Sequence, residues 1–131
     1  MAPRLLVIDD EQDLLLLYQL ILEPEGYEVH LASSGLPQVM DLEHVLPDLI
    51  ILDYHLGRPS RQELLWQQLK ANSLTSALPL ILCTADAIAL REQADDLREA
   101  GVRVVLKPFA IGELLQIIQQ ALQETTAFKT A

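Results

Sequence analysis

The stretch Asp48-Leu49-Ile50-Ile51-Leu52-Asp53 decides how the chain folds. Four consecutive apolar residues, preceded by Pro47 and closed by a carboxylate, read as a short strand buried on both faces. Such a strand cannot hold a charge in its middle, but it can present one at its carboxyl end. In open α/β sheets that end is where ligands bind. Position alone therefore makes Asp53 a candidate site residue.

The same grammar recurs on either side. Arg4-Leu5-Leu6-Val7-Ile8 is a second apolar run, closed by Asp9 and Asp10. From Glu11 to about Glu23 the period becomes helical, with Leu14, Leu17, Leu20, Ile21 and Leu22 on or near one face, Asp10 or Glu11 as the cap, and Pro24 and Gly26 as the stop. Tyr27 to Ala32 alternates and predicts a half-buried strand near an edge. A weaker helix is expected from Leu36 to Val45, and another from Ser60 with Leu64, Leu65 and Leu69 facing in. Pro79 to Cys83 predicts a fourth strand, leading to Thr84-Ala85-Asp86. A helix from about Ile88 to Ala100 ends at Gly101, a fifth strand covers Val102 to Leu106 and leads to Lys107-Pro108-Phe109, and a last helix runs from about Ile111 to Glu124. The tail from Thr125 to Ala131 is expected to fray. Strand and helix alternate five times, the pattern of a doubly wound parallel α/β sheet in one domain spanning residues 1–131, with its core at about 4–124.

At 131 residues, half of them apolar, a packed core is expected. No apolar run approaches the ~20 residues of a membrane span. The amino terminus lacks an apolar signal region, and the single cysteine, Cys83, fits a reducing compartment, so a cytoplasmic location is expected. The formal charge of −10 argues against direct nucleic-acid binding.

In a parallel sheet Asp9, Asp10, Asp53, Thr84 and Lys107 converge at one edge. Clustered carboxylates raise each other's pKa, so positive charge must hold them ionised. Lys107 supplies one charge, and a hard divalent cation such as Mg²⁺ would supply more. A carboxylate, a metal, a hydroxyl and an ammonium suit phosphoryl transfer, with the carboxylate attacking phosphorus and the cations and hydroxyl holding its equatorial oxygens.

The set Asp9-Asp10, Asp53, Thr84-Ala85 and Lys107-Pro108-Phe109 resembles the receiver domain of two-component response regulators, over residues 4 to about 124. The resemblance implies a flavodoxin-like fold with strand order 2-1-3-4-5 and five flanking helices. It implies that Asp53 accepts a phosphoryl group from a histidine kinase or histidine phosphotransfer protein. Asp10, Asp53 and the carbonyl of His55 would bind Mg²⁺, Asp9 would reach it through water, and Thr84 and Lys107 would grip the phosphoryl oxygens. His55 and Asp86 would flank the path of the hydrolytic water. The readout would pass to a downstream effector protein or to an output domain absent from this chain. The domain would be a switch with no external substrate, neither an enzyme nor a membrane protein.

Two departures stand out. The positions four and eight residues after the acceptor, usually Pro and Gly in this family, hold Gly57 and Arg61. The usual switch aromatic, three residues before the lysine, is Val104, which has no ring to report a motion. Three rival classes compare with the receiver reading, which fits best. A degenerate receiver would serve only as an interaction module. An aspartyl-phosphate phosphohydrolase would want a second acid two residues after its nucleophile, where Asp53 has His55. A flavin-binding module would want a phosphate loop where Asp9-Asp10-Glu11 repels phosphate. Cys83 and Trp66 read as packing residues, and the Leu14–Leu17 run as a hint of a docking face.

Overall fold

The computed structural model describes residues 2–9, 11–32, 45–53 and 66–130. Five strands, β1 (Arg4–Ile8), β2 (Glu28–Ala32), β3 (Leu49–Asp53), β4 (Leu80–Thr84) and β5 (Arg103–Leu106), form one sheet in the order β2-β1-β3-β4-β5. Every neighbouring pair is parallel. The expected strand order is thus present. The run read as buried on both faces, β3, lies in the middle of the sheet, and every residue of β3 and of its neighbour β4 is buried. The alternating strand β2 lies at an edge and is only partly buried.

Helices α1 (Gln12–Leu22), α2 (Ala87–Glu99) and α3 (Ile111–Thr130) accompany the sheet, and residues 66–71 are helical. Of the helix expected from Leu36 to Val45, all but Val45, which is helical, lies outside the described residues, as does the beginning of the one expected from Ser60. α1 is followed by a 3₁₀ turn over Glu23–Glu25, and Gly26 closes it at φ +93°. α2 ends as Gly101 predicts: Gly101 sits at φ +73°, its N–H reaches Arg98 O at 3.1 Å, and Val102 N–H reaches Leu97 O at 2.9 Å. These two bonds satisfy carbonyls that a helix end leaves over. α3 continues past the expected stop at Glu124 to Thr130. The residues 125–130 contain neither Gly nor Pro, so no backbone signal ends the helix there.

Strand alternation divides the core into two layers. On one face Leu5, Val7, Leu49, Ile51, Ile81, Cys83 and Val105 pack against Leu15, Tyr18 and Leu22 of α1 and Leu114, Ile118 and Ala121 of α3. On the other, Leu6, Ile8, Ile50, Leu52, Leu80 and Leu82 meet Trp66, Leu69 and Leu97. Each fully buried Leu or Ile contributes ~2 kcal/mol of transfer free energy. Trp66 is a packing residue, as expected, with its ring nitrogen donating to Gln93 Oε1 at 3.1 Å.

The helix α1 turns a different face to the sheet than its leucine spacing predicts. The buried stripe of α1 is Leu15, Tyr18 and Leu22, while Leu17 and Leu20 are exposed. Four consecutive leucines leave the rotational phase of a helix ambiguous, and only packing against the sheet selects one.

Candidate functional site

At the carboxyl edge, Asp9 follows β1 and Asp53 ends β3, and both are completely buried. Asp9 is held by the chain around it. Its N–H donates to Ala32 O at 3.1 Å, and its Oδ1 accepts the Glu11 N–H at 3.1 Å. That bond helps start α1, whose cap residue Glu11 makes no side-chain cap of its own. Asp53 falls on the α1–α3 face because it continues the alternation of Leu49 and Ile51.

Among the described residues, Lys107 and Tyr18 both donate to the Asp53 carboxylate. Lys107 Nζ forms an ion pair with Oδ1, and the Tyr18 hydroxyl donates to Oδ2 at 2.5 Å. Burial pushes the Asp53 pKa above the ordinary carboxylate range, and the Asp9 charge pushes it the same way. The bonds from Lys107 and Tyr18 pull it down without overcoming burial. Burial also raises the pKa of the Tyr18 phenol, with nearby Cys83 and Asp53 adding to the effect. The Cys83 thiol, the register partner of Asp53 on β4, is pushed up to about 12, chiefly by burial.

Thr84 ends β4 and is buried, and its hydroxyl accepts the Asp86 N–H at 3.1 Å. Its carbonyl accepts the Lys107 N–H at 2.8 Å, which ties the two strand ends together. The Lys107–Pro108 peptide is cis. Asp9, Asp53, Thr84 and Lys107 therefore share one edge, with Asp53 and Lys107 in direct contact. Asp10 and His55 lie outside the described residues, as do Gly57 and Arg61. Val104 is half-buried and packs on the opposite face from Asp53.

Two fully buried carboxylates, near enough for one to raise the pKa of the other, form an anionic oxygen donor set that suits a hard cation such as Mg²⁺. Among the described residues no three His, Cys, Asp or Glu side chains gather into a metal-binding group. Beside the site, an apolar recess of about 560 Å³ opens between α1 and the turn before α3. Leu14, Leu17, Ile21, Phe109 and Ile111 line it, and Asp53 and Lys107 reach it.

Tyr18 was not among the residues singled out from sequence. A signal existed: it lies three residues after Leu15 and four before Leu22, so a stripe in that phase buries a phenol, and a buried phenol needs a partner.

The fold and edge define a doubly wound parallel domain with a buried acid–lysine pair at the carboxyl ends of its strands. The sequence profile of the response regulator receiver domain matches residues 5–119, and the chain belongs to that family. It is 34% identical over 123 residues to the phosphate regulon transcriptional regulatory protein PhoB of Rhizobium meliloti (strain 1021), covering 94% of this chain and 53% of that protein. Against PhoB of Escherichia coli (strain K12) the identity is 31% over 126 residues, with the same coverage of 94% and 53%. The chain thus spans about half the length of these relatives. Among solved structures, a CheY-like response regulator receiver domain protein from Methanospirillum hungatei JF-1 superposes with a TM-score of 0.79 at 27% identity. That match covers 97% of this chain and 98% of the other. The chain is a two-component signal-transduction domain. No helix among the described residues is long and apolar enough to cross a membrane.

Proposed function

We propose that the chain is a single receiver domain that accepts a phosphoryl group on Asp53 from a histidine kinase or histidine phosphotransfer protein. The observation that carries this reading is the buried Asp53 carboxylate in contact with Lys107 at the sheet edge. A carboxylate costly to keep ionised gains from bonding to phosphorus, and an adjacent ammonium can pass from the carboxylate to the phosphoryl oxygens. Thr84 would supply its hydroxyl to the same oxygens. Asp10, Asp53 and the His55 carbonyl would hold Mg²⁺, with Asp9 reaching it through water. When bound, the cation would neutralise charge on the transferring group. The exposed leucines Leu16, Leu17 and Leu20 of α1 offer a face on which a donor protein can dock. The domain acts as a switch in the cytoplasm, without an external substrate of its own. Its state is read by a downstream effector protein or by an output domain joined to the receiver.

Incubation with Mg²⁺ and acetyl phosphate, followed by intact mass, tests the reading. The wild type should gain one phosphoryl group and Asp53→Asn none. Labelling of Asp53→Asn at the wild-type rate would exclude Asp53 as the acceptor, and rapid multiple turnover would favour a phosphohydrolase.

A further inference from the structure

The two oxygens of Asp53 have different surroundings. Oδ1 meets Lys107, whose side chain is 21% exposed, whereas Oδ2 meets the Tyr18 hydroxyl on the interior side, where Tyr18 is 4% exposed. On the reading proposed above, the phosphoryl group bonds to Oδ1, on the more accessible Lys107 side, and Oδ2 becomes the carbonyl oxygen of the acyl phosphate. We propose that Tyr18, by donating to Asp53 Oδ2, favours the free carboxylate over the acyl phosphate and so shortens the life of the phosphorylated state. This rests on Asp53 being the acceptor.

The sign follows from charge. In the acyl phosphate Oδ2 is a neutral carbonyl oxygen, while in the carboxylate it carries part of a full negative charge. Hydrogen bonds to a charged acceptor are about twice as strong as those between neutral groups. In hydrolysis the oxygen of water bonds to phosphorus and the Oδ1–P bond breaks. Its electron pair returns to the carboxylate, one proton of water leaves to solvent, and the other departs on the inorganic phosphate. Charge thus develops on Oδ2 as the bond breaks, where the Tyr18 proton already points. The donor is preorganised for that charge, because α1 buries the ring between Leu15 and Leu22. In the reverse sense, Tyr18 stabilises the resting nucleophile and slows its phosphorylation.

The test follows decay of the phosphorylated protein. Wild type and Tyr18→Phe are labelled with acetyl phosphate and Mg²⁺, the donor is removed, and intact mass is followed with Mg²⁺ present and after chelation with EDTA. Tyr18→Phe keeps the ring and should lengthen the half-life about five-fold in both conditions, as expected for losing one charge-assisted bond. An equal or shorter half-life overturns the inference. Site-specific 3-fluorotyrosine at position 18 is a stronger donor of nearly the same shape and should shorten the half-life. An unchanged or longer half-life there also overturns it, whether or not Tyr18→Phe folds. A labelled wild type whose decay matches that of Tyr18→Phe removes only the role of Tyr18. A wild type that takes no phosphoryl group removes the reading of Asp53 as well.

Discussion

At the amino end of the sheet, Arg4 Nε meets Glu28 Oε2 at 2.7 Å, its Nη1 donates to Val45 O at 3.2 Å, and its backbone N–H donates to Asp48 Oδ2 at 2.8 Å. The two ion-paired side chains are 39% and 49% exposed. At the carboxyl end, Asp9 and Asp53 are wholly buried, and Lys107 forms an ion pair with Asp53. Charges left in water and paired across neighbouring strands hold strand ends together at little cost. Buried carboxylates placed near each other cost stability, and a fold keeps them where chemistry uses the cost. The contrast marks the carboxyl edge as the candidate functional one and the amino edge as structural, without reference to any relative.

The two edges should respond very differently to metal, to substitution and to pH. The largest effect is expected from the cation. Mg²⁺ at a hundred times its dissociation constant should stabilise the wild type by ~2.7 kcal/mol, and Asp10→Ala should lose most of that gain. Equal gains in both proteins would mean that the metal is held elsewhere.

Next, Lys107→Ala should destabilise the metal-free protein by about 2 kcal/mol at pH 7, less than for a fully buried pair because Lys107 is partly exposed. Lys107 pulls the Asp53 pKa down, so without it the carboxylate charge is dearer. The deficit should close as acid protonates Asp53. A deficit independent of pH, in urea titrations at several pH values, would point to lost packing instead.

Asp53→Asn should stabilise the metal-free protein on the order of 1 kcal/mol at pH 7. The raised folded-state pKa means that ionised Asp53 opposes folding above that pKa, and the penalty fades as pH falls through it. Below the ordinary value of 3.8 the two proteins should melt alike. A variant less stable than wild type at pH 7 would show that the pair with Lys107 outweighs burial.

The smallest effect belongs to the amino end. Arg4→Ala should cost about 0.5 kcal/mol, less in high salt, and leave phosphoryl labelling unchanged. A change in labelling would break the division between the two edges.

The amino-acid order by itself determined the parallel α/β class, while the strand order 2-1-3-4-5 came from the resemblance to the family. Short apolar runs ending in Asp9, Asp53, Thr84 and Lys107 carry their own strand period, and helices between them enforce parallel pairing, so fold class and the shared edge could be read directly. The period of two also puts Asp53 on the face of Leu49 and Ile51, since that parity is local to one strand. Which helix face meets that carboxylate is not local. Leu14 to Leu17 satisfy several rotational phases equally well, and only docking on the sheet chose the one that buries Leu15, Tyr18 and Leu22. The same docking put the Tyr18 hydroxyl on Asp53, and neither residue announces the other across the 35 positions between them. Periodicity along a chain sets which residues share an element. The partner that a buried polar group finds is set by how separate elements pack, because its desolvation cost is met only in three dimensions.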